Sequence, residues 1–248
     1  MINVENVSKS FHDRKRGTIQ AVDDISFESH PGEIFGLLGA NGAGKTTMLR
    51  ILGTLLRPTA GTATIAGHNI LTAPEDVRRS IGFLSGSTAV YGRLTAREMI
   101  EYFGKLNGIH GPHLKTRVDE LIEQFEIGEF QKGRCDKLST GQKQRVSIAR
   151  SIVHRPPVMI FDEPTSGLDV MTSQTIMSFI EQCRLDRLTV IFSTHIMSEV
   201  ERLCDKIAVV HHGKIVARGT VEELRVQSGE QVLENAFLKI VSEAAQDA

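Results

Sequence analysis

"GLLGANGAGKTT", residues 36–47, is the stretch from which the rest of this chain can be read. An apolar run, residues 34–38, leads into it, and the helical pattern "TTMLRILGTLL" continues from it. Gly39-x-x-x-x-Gly44-Lys45-Thr46 therefore stands in the strand–loop–helix setting that a phosphate-binding loop (P-loop) requires. Glycines let backbone N–H groups turn inward around phosphate oxygens, at the positive end of the following helix. Lys45 is expected to bridge the β- and γ-phosphates of a nucleotide, and Thr46 to offer its hydroxyl to Mg²⁺. A Gly-rich turn with an exposed lysine is the plainer alternative, and the flanking strand and helix weigh against it.

A P-loop is compatible with a kinase, a GTPase or a motor, so later stretches must discriminate. In "VMIFDEPTSGLD", four apolar residues feed directly into Asp162 and Glu163. An acid at the end of a buried strand beside a P-loop is placed to hold Mg²⁺, through water. Glu163 is then placed to polarise an attacking water as general base. "TVIFSTH" repeats the pattern: an apolar strand ends in Ser193, Thr194 and His195, and His195 is expected to hydrogen-bond the γ-phosphate. No N-K-x-D guanine-specificity motif occurs, so GTP preference is unsupported. In "KLSTGQKQR", Ser139 is a good helix N-cap and Gln142 completes a capping box. Gly141 in that first turn is a poor helix former, and the bare helix start resembles a seat for an anion.

Strand-like and helical runs alternate, which predicts an α/β fold with a largely parallel sheet. Strands are expected at 2–7, 24–28, 34–38, 63–66, 81–84, 158–161, 189–193, 207–211 and 214–218. Residues 95–154 read as a helical subdomain inserted between halves of the sheet. The expected division of this single domain is a core of 1–85 and 156–226, a helical subdomain of 86–155 and a helical tail of 227–248. In that tail Leu233, Phe237 and Ile240 share one helical face, expected to pack on the body.

The chain has 248 residues, 40% apolar and 24% charged, the composition of an ordinary globular protein. With 29 basic and 30 acidic residues it offers no long basic face for nucleic acid, and it contains no Trp and 2 Tyr for base stacking. The densest basic cluster, "HDRKRG" at 12–17, reads as a solvated loop, with lipid or partner contact as the alternative. Three widely spaced cysteines suggest a reduced, intracellular chain, and the start lacks the layout of a signal peptide. Apolar runs are strand-length, so any membrane part is expected on another chain.

Taken in order, the P-loop, "LSTGQKQR", "FDEP", "SGLD" and "STH" resemble the ATP-binding-cassette (ABC) family, and the resemblance covers nearly the whole chain. It implies a P-loop NTPase (RecA-like) core with an antiparallel β subdomain and the α-helical insert. It further implies an ATPase that works as a nucleotide-sandwich dimer. Gly39, Asn41, Gly42, Ala43, Gly44, Lys45, Thr46 and Thr47 then hold ATP, and Phe11 falls where the family stacks an aromatic on adenine. Thr46 and Asp162 carry over as the Mg²⁺ positions, Glu163 as the catalytic carboxylate and His195 as the switch histidine. Ser139, Thr140, Gly141 and Gln142 are expected to meet the ATP of the other subunit, and the turn Ser166, Gly167, Leu168, Asp169 to link the two sites.

Two departures stand out. Thr140 replaces the family's usual Gly, and the strand "IGFLS" is followed by no Gln where the family places a Mg²⁺-touching one. Either that ligand is missing or Ser85, Ser87 or Thr88 substitutes for it, and slower or more partner-dependent hydrolysis is expected. "STAVYGRLTARE" and "LENAFLKI" are similar to ATPase subunits of bacterial exporters of sodium ions, drugs or glycolipids. The implied partners are a membrane-spanning transporter subunit meeting residues 85–107 and a second cassette, at the cytoplasmic face of the membrane. A soluble family member acting on nucleic acid or ribosomes is the alternative.

Overall fold

The structure is a computed structural model that describes residues 1–13, 17–85 and 90–246. β1 (Ile2–Asp13) and β2 (Gly17–Ser29) form an antiparallel hairpin. β3 (Ile34–Leu38) enters the glycine loop and α1 (Lys45–Leu52) leaves it. β4 (Ala60–Ile65) returns beside β1, β5 (His68–Asn69) pairs with β4, and α2 (Pro74–Ser80) and β6 (Ile81–Ser85) follow. The helical block is α3 (Ala96–Leu106), α4 (Gly111–Gln124) and α5 (Thr140–Ile152). The chain then alternates through β7 (Val158–Asp162), α6 (Val170–Leu185), β8 (Thr189–Thr194), α7 (Met197–Leu203), β9 (Lys206–His211) and β10 (Lys214–Gly219). It closes with α8 (Val221–Ser228) and α9 (Leu233–Gln246).

β3, β7 and β8 are buried at every position, as strands covered by helices on both faces must be. They occupy the middle of a six-stranded sheet of order β10-β9-β3-β8-β7-β6, parallel except for the antiparallel edge strand β10. The hairpin lies in a separate four-stranded sheet, β2-β1-β4-β5, and α1 is packed between the two sheets through Met48, Leu49, Ile51 and Leu52. The helical block rests on the opposite face of the main sheet, where Ile100, Leu121 and Ile148 meet Phe161 and Phe192. Burying each such side chain contributes roughly 1.5–3 kcal/mol, enough to seat short helices that would not persist alone. The tail helix α9 packs Leu233, Phe237 and Ile240 against Leu38, Val200 and Val209.

The hairpin is longer than the runs 2–7 and 24–28 suggest. Ser10↔Gln20 and Phe11↔Ile19 continue the ladder through half-buried Ser10 and exposed Phe11, Ile19 and Gln20, which carry no apolar alternation to signal a strand. The short β5 and the helix α2 are also additions to the expected elements. Pro74 at the first helical position, with Glu75 and Asp76 in the first turn, is the start signal for α2. Of the basic cluster at 12–17, residues 14–16 lie outside the described residues.

Candidate nucleotide-binding site

The parallel strands end together, and their carboxyl ends carry the site. Leu38 is the register partner of Thr194, Ser193 of Asp162, and Asp162 of Ser85. Loops from neighbouring strands therefore converge on one sheet edge, the usual place for a ligand in such folds. Within the glycine loop, Gly44 adopts φ +110°, and a Cβ there would lie 2.3 Å from the Ala21 carbonyl oxygen of β2. Gly39 is equally confined, with a Cβ 2.4 Å from the Val210 carbonyl oxygen. These contacts hold the loop against β2 and β9 and bring its backbone to the start of α1.

Lys45, the first residue of α1, has a buried side chain. Its Nζ donates to the carbonyl oxygens of Gly39 (2.7 Å) and Ala40 (3.1 Å) and lies 3.2 Å from Glu163 Oε1. The same Glu163 oxygen is 3.4 Å from His195 Nδ1. Thr46 donates its hydroxyl to Asp162 Oδ1 at 2.9 Å, and Ser193 donates to that oxygen at the same distance. Glu163 has φ +45°, a left-handed conformation uncommon for a side-chain-bearing residue. Its N–H is held by both the carbonyl and the hydroxyl of Ser193, each at 3.1 Å. Thus Lys45, Thr46, Asp162, Glu163 and His195 do meet. The hydroxyl of Thr46 and the carboxylate of Asp162 are hard oxygen donors of the type Mg²⁺ takes.

Two features escaped the sequence reading. Ser193 reads there as a strand end, yet it orients both acids. Glu199 of α7, 8% exposed, accepts hydroxyl protons from Thr165 and Thr194, each at 2.6 Å. Thr194 in turn accepts the Ile196 N–H at 3.0 Å, so one buried carboxylate ties the loop after Glu163 to the loop bearing His195. A Glu four residues beyond the "STH" histidine is the only sequence signal for it.

Phe11 is exposed on the hairpin, with Lys9 Nζ 5.2 Å from its ring centroid. Its partner Ile19 is two residues, about 7 Å, up β2 from the Ala21 that touches the glycine loop. Asn41 and Gly42 form the exposed tip of that loop. Of the expected substitutes for the absent Gln, Ser85 ends β6 opposite Asp162, while Ser87 and Thr88 lie outside the described residues.

Ser139, Thr140, Gly141 and Gln142 stand elsewhere. The capping box is formed: Ser139 Oγ accepts the Gln142 N–H (3.2 Å) and Gln142 Oε1 accepts the Ser139 N–H (3.0 Å). Thr140 is exposed at the first position of α5. Ser139, Gly141 and Gln142 line a cleft shared with Met171 and Thr172 of α6, not with the P-loop. A Cβ on Gly141 would lie 2.9 Å from Thr172 Oγ1. Asp169, the N-cap of α6, accepts from the Thr172 N–H (2.9 Å) and hydroxyl (2.7 Å), bonds that hold its carboxyl below the ordinary value. Ser166, Gly167 and Leu168 lead from Glu163 to this cap, so signature and turn are joined within one chain.

A family model for ABC transporters matches residues 22–166, more than half of the chain. The ABC transporter ATP-binding protein NatA of Bacillus subtilis is 39% identical over 239 residues, which cover 96% of this chain and 97% of that protein. The doxorubicin resistance ATP-binding protein DrrA of Mycobacterium tuberculosis is 39% identical, over 88% of this chain and 66% of its own length. A structure described as the ATP-binding subunit of an ABC transporter superposes with a TM-score of 0.86 at 26% identity, over 97% of this chain and 99% of that one. The dimeric, post-hydrolysis cassette MJ0796 bound to ADP and Pi gives 0.78 at 28% identity, over 89% and 98%. With the fold, the P-loop and the acids at one sheet edge, these matches mean that the chain belongs to the ABC transporter family, as an ATPase that binds and hydrolyses ATP.

Proposed function

We propose that the chain powers a bacterial-type exporter of ions or drugs, as one of two cassettes on a membrane-spanning subunit at the cytoplasmic face of the membrane. The observation that carries this reading is the meeting of Lys45, Thr46, Asp162, Glu163 and His195 at one sheet edge. The likeness to NatA and DrrA supports the exporter class. No helix among the described residues is long and apolar enough to cross a membrane, so the membrane-spanning part and the choice of cargo are assigned to another chain.

In this reading ATP lies on the loop Gly39–Thr47, with Asn41, Gly42, Ala43 and Gly44 around its phosphates and Phe11 against the adenine. Thr46 and Asp162 would hold Mg²⁺, which would supply charge neutralisation on the phosphate oxygens. The phosphates compete for the Lys45 ammonium, which releases Glu163. Glu163 takes a proton from a water molecule while the water oxygen bonds to the γ-phosphorus and the bond to the ADP leaving group breaks. His195 hydrogen-bonds the γ-phosphate. Ser139, Thr140, Gly141 and Gln142 of the second cassette close over the same phosphate, and Ser166–Asp169 link the two sites. Ser85, Ser87 or Thr88 takes the place of the absent Gln, and residues 85–107 face the membrane subunit.

Glu163→Gln tests the central role. Steady-state turnover should fall about 10²–10⁴-fold while ATP affinity holds, as measured by equilibrium binding. An unchanged rate would remove Glu163 as the base.

A further inference from the structure

Asn41 stands at the tip of the glycine loop, directly before Gly42, and both residues are exposed. One other asparagine of the chain precedes a glycine, Asn107 before Gly108. The two pairs sit in opposite surroundings. Asn107 is half-buried at the end of α3, and its Nδ2 donates to the Phe103 carbonyl at 2.9 Å. The Gly108 N–H donates to the Lys105 carbonyl at 3.0 Å. By contrast, the Asn41 carboxamide and the Gly42 N–H make no hydrogen bond among the described residues. The Ala43 N–H closes a turn onto the Ala40 carbonyl at 3.2 Å, with Asn41 and Gly42 as its two central residues. Gly42 has φ +83°, and a Cβ built on it meets nothing within 4 Å.

An asparagine followed by glycine can react with its own backbone. The glycine nitrogen attacks the side-chain carbonyl carbon, because no Cβ shields that nitrogen and the backbone there is the freest of any residue. The N–Cγ bond forms, the Cγ–Nδ2 bond breaks, and ammonia leaves with the proton of the backbone nitrogen. One water then opens the resulting five-membered succinimide. Cleavage at Cγ gives aspartate; cleavage at the main-chain carbonyl gives isoaspartate, with the chain rerouted through Cβ. The balance needs water alone. Bonds such as those at Asn107 and Gly108 suppress the reaction, because both the carboxamide and the attacking nitrogen are already held. No such bond restrains Asn41.

We propose that Asn41 is a site of spontaneous deamidation whose product disables the loop that bears it. The consequence rests on the reading that places ATP on this loop. There the backbone amides face phosphate, so bound nucleotide occupies them and fixes the turn, and the reaction belongs to the nucleotide-free chain. Either product sets a carboxylate where phosphate oxygens must come, and like charges repel. Isoaspartate also lengthens the backbone path by one methylene and moves the amides out of place. A chain kept without nucleotide therefore loses its site irreversibly, whereas one in continual use retains it.

The test incubates the full chain in mildly alkaline buffer, with and without a non-hydrolysable ATP analogue and Mg²⁺. Isoaspartate is labelled with a protein isoaspartate methyltransferase and located by peptide mass mapping, and ATP affinity is followed by equilibrium binding. Label should accumulate at Asn41 over days and not at Asn107, with ATP binding lost in parallel, and the analogue should suppress both changes. Gly42→Ala should slow the labelling several-fold, and Asn41→Gln should abolish it at this position. Asn41→Asp, which carries the charge from the start, should bind ATP roughly tenfold more weakly or worse. No label at Asn41, equal label at Asn107, or undiminished ATP binding as label accumulates would each overturn the proposal. If Asn41→Asp fails to fold, the wild-type labelling and binding series decides alone. Label that continues at Asn41 while the analogue is bound would instead overturn the placing of ATP on this loop, and the proposed disabling with it.

Discussion

Gly44 and Gly42 stand two residues apart in one loop and answer to different constraints. Gly44 is in a left-handed conformation and pressed against the Ala21 carbonyl, whereas Gly42, also left-handed at φ +83°, has nothing within 4 Å of a built Cβ. Gly44→Ala should therefore cost more than about 2 kcal/mol in urea unfolding and abolish nucleotide binding, since either β2 or the loop must move. Gly42→Ala should cost only about 1–2 kcal/mol, the conformational penalty alone, and leave the loop in place. Equal losses for both would show that conformation, not contact with β2, governs the loop. Glu163 holds a similar left-handed conformation without being glycine, at a cost of order 1–3 kcal/mol. Ser193 is what holds it there, and the reward is a carboxylate oxygen between Lys45 and His195. Lys45, Thr46, Asp162, Glu163 and His195 were each legible from local spacing. Ser193 was not, because its importance lies in what faces it across β7 and β8.

Among the elements, α7 shows how a short helix can serve a distant reaction. It contributes Glu199 to two hydroxyls on two loops, one after Glu163 and one before His195. Glu199→Ala should leave both hydroxyls without an acceptor, at about 1–3 kcal/mol each, and lower the melting temperature. Turnover should drop on the order of 10²-fold through misplacement of His195 and Glu163, with ATP affinity retained because the P-loop is untouched. Glu199→Gln, which keeps one acceptor oxygen, should fall between. A lowered melting temperature with normal turnover would reduce Glu199 to a packing role. The helix α5 divides its labour along its length: Val146, Ile148 and Ala149 are fully buried, so the exposed start at Ser139 can remain open to another molecule.

For the molecule as a whole, the decisive fact is that the P-loop group and the start of α5 face different surroundings. The P-loop group lies at the carboxyl edge of the main sheet, while Ser139, Gly141 and Gln142 line a cleft with α6. ABC cassettes dimerise, and on the reading proposed above this separation is the reason: the second half of the site would come from a second cassette, a copy of this chain or a related one. Glu163→Gln with saturating ATP and Mg²⁺ should double the mass seen by light scattering from the 27.3 kDa of one chain. Lys45→Ala should stay at the single-chain mass under the same conditions. A Glu163→Gln chain that remained monomeric would argue that closure requires the membrane subunit.

Local sequence determined the phosphate loop, the capped start of α5, the strand-end acids and the α/β alternation, because each depends on residues within one or two turns of one another. The tertiary structure decided what depends on register between distant segments. Thr46 reaches Asp162 only because β3 and β7 flank β8 with their ends level, and the two residues are 116 positions apart. The exposed half of the hairpin was invisible for a related reason: backbone pairing, not side-chain burial, holds Ser10 to Gln20. Arg150 is the clearest case. In "QRVSIARSI" it reads as an ordinary helical arginine, and only the packing of α5 against α3 and β6 buries its Nε and Nη2 with no hydrogen-bonding partner among the described residues. Periodicity records which face of a helix is buried, but whether a buried charge finds its counterion is settled by everything packed around it.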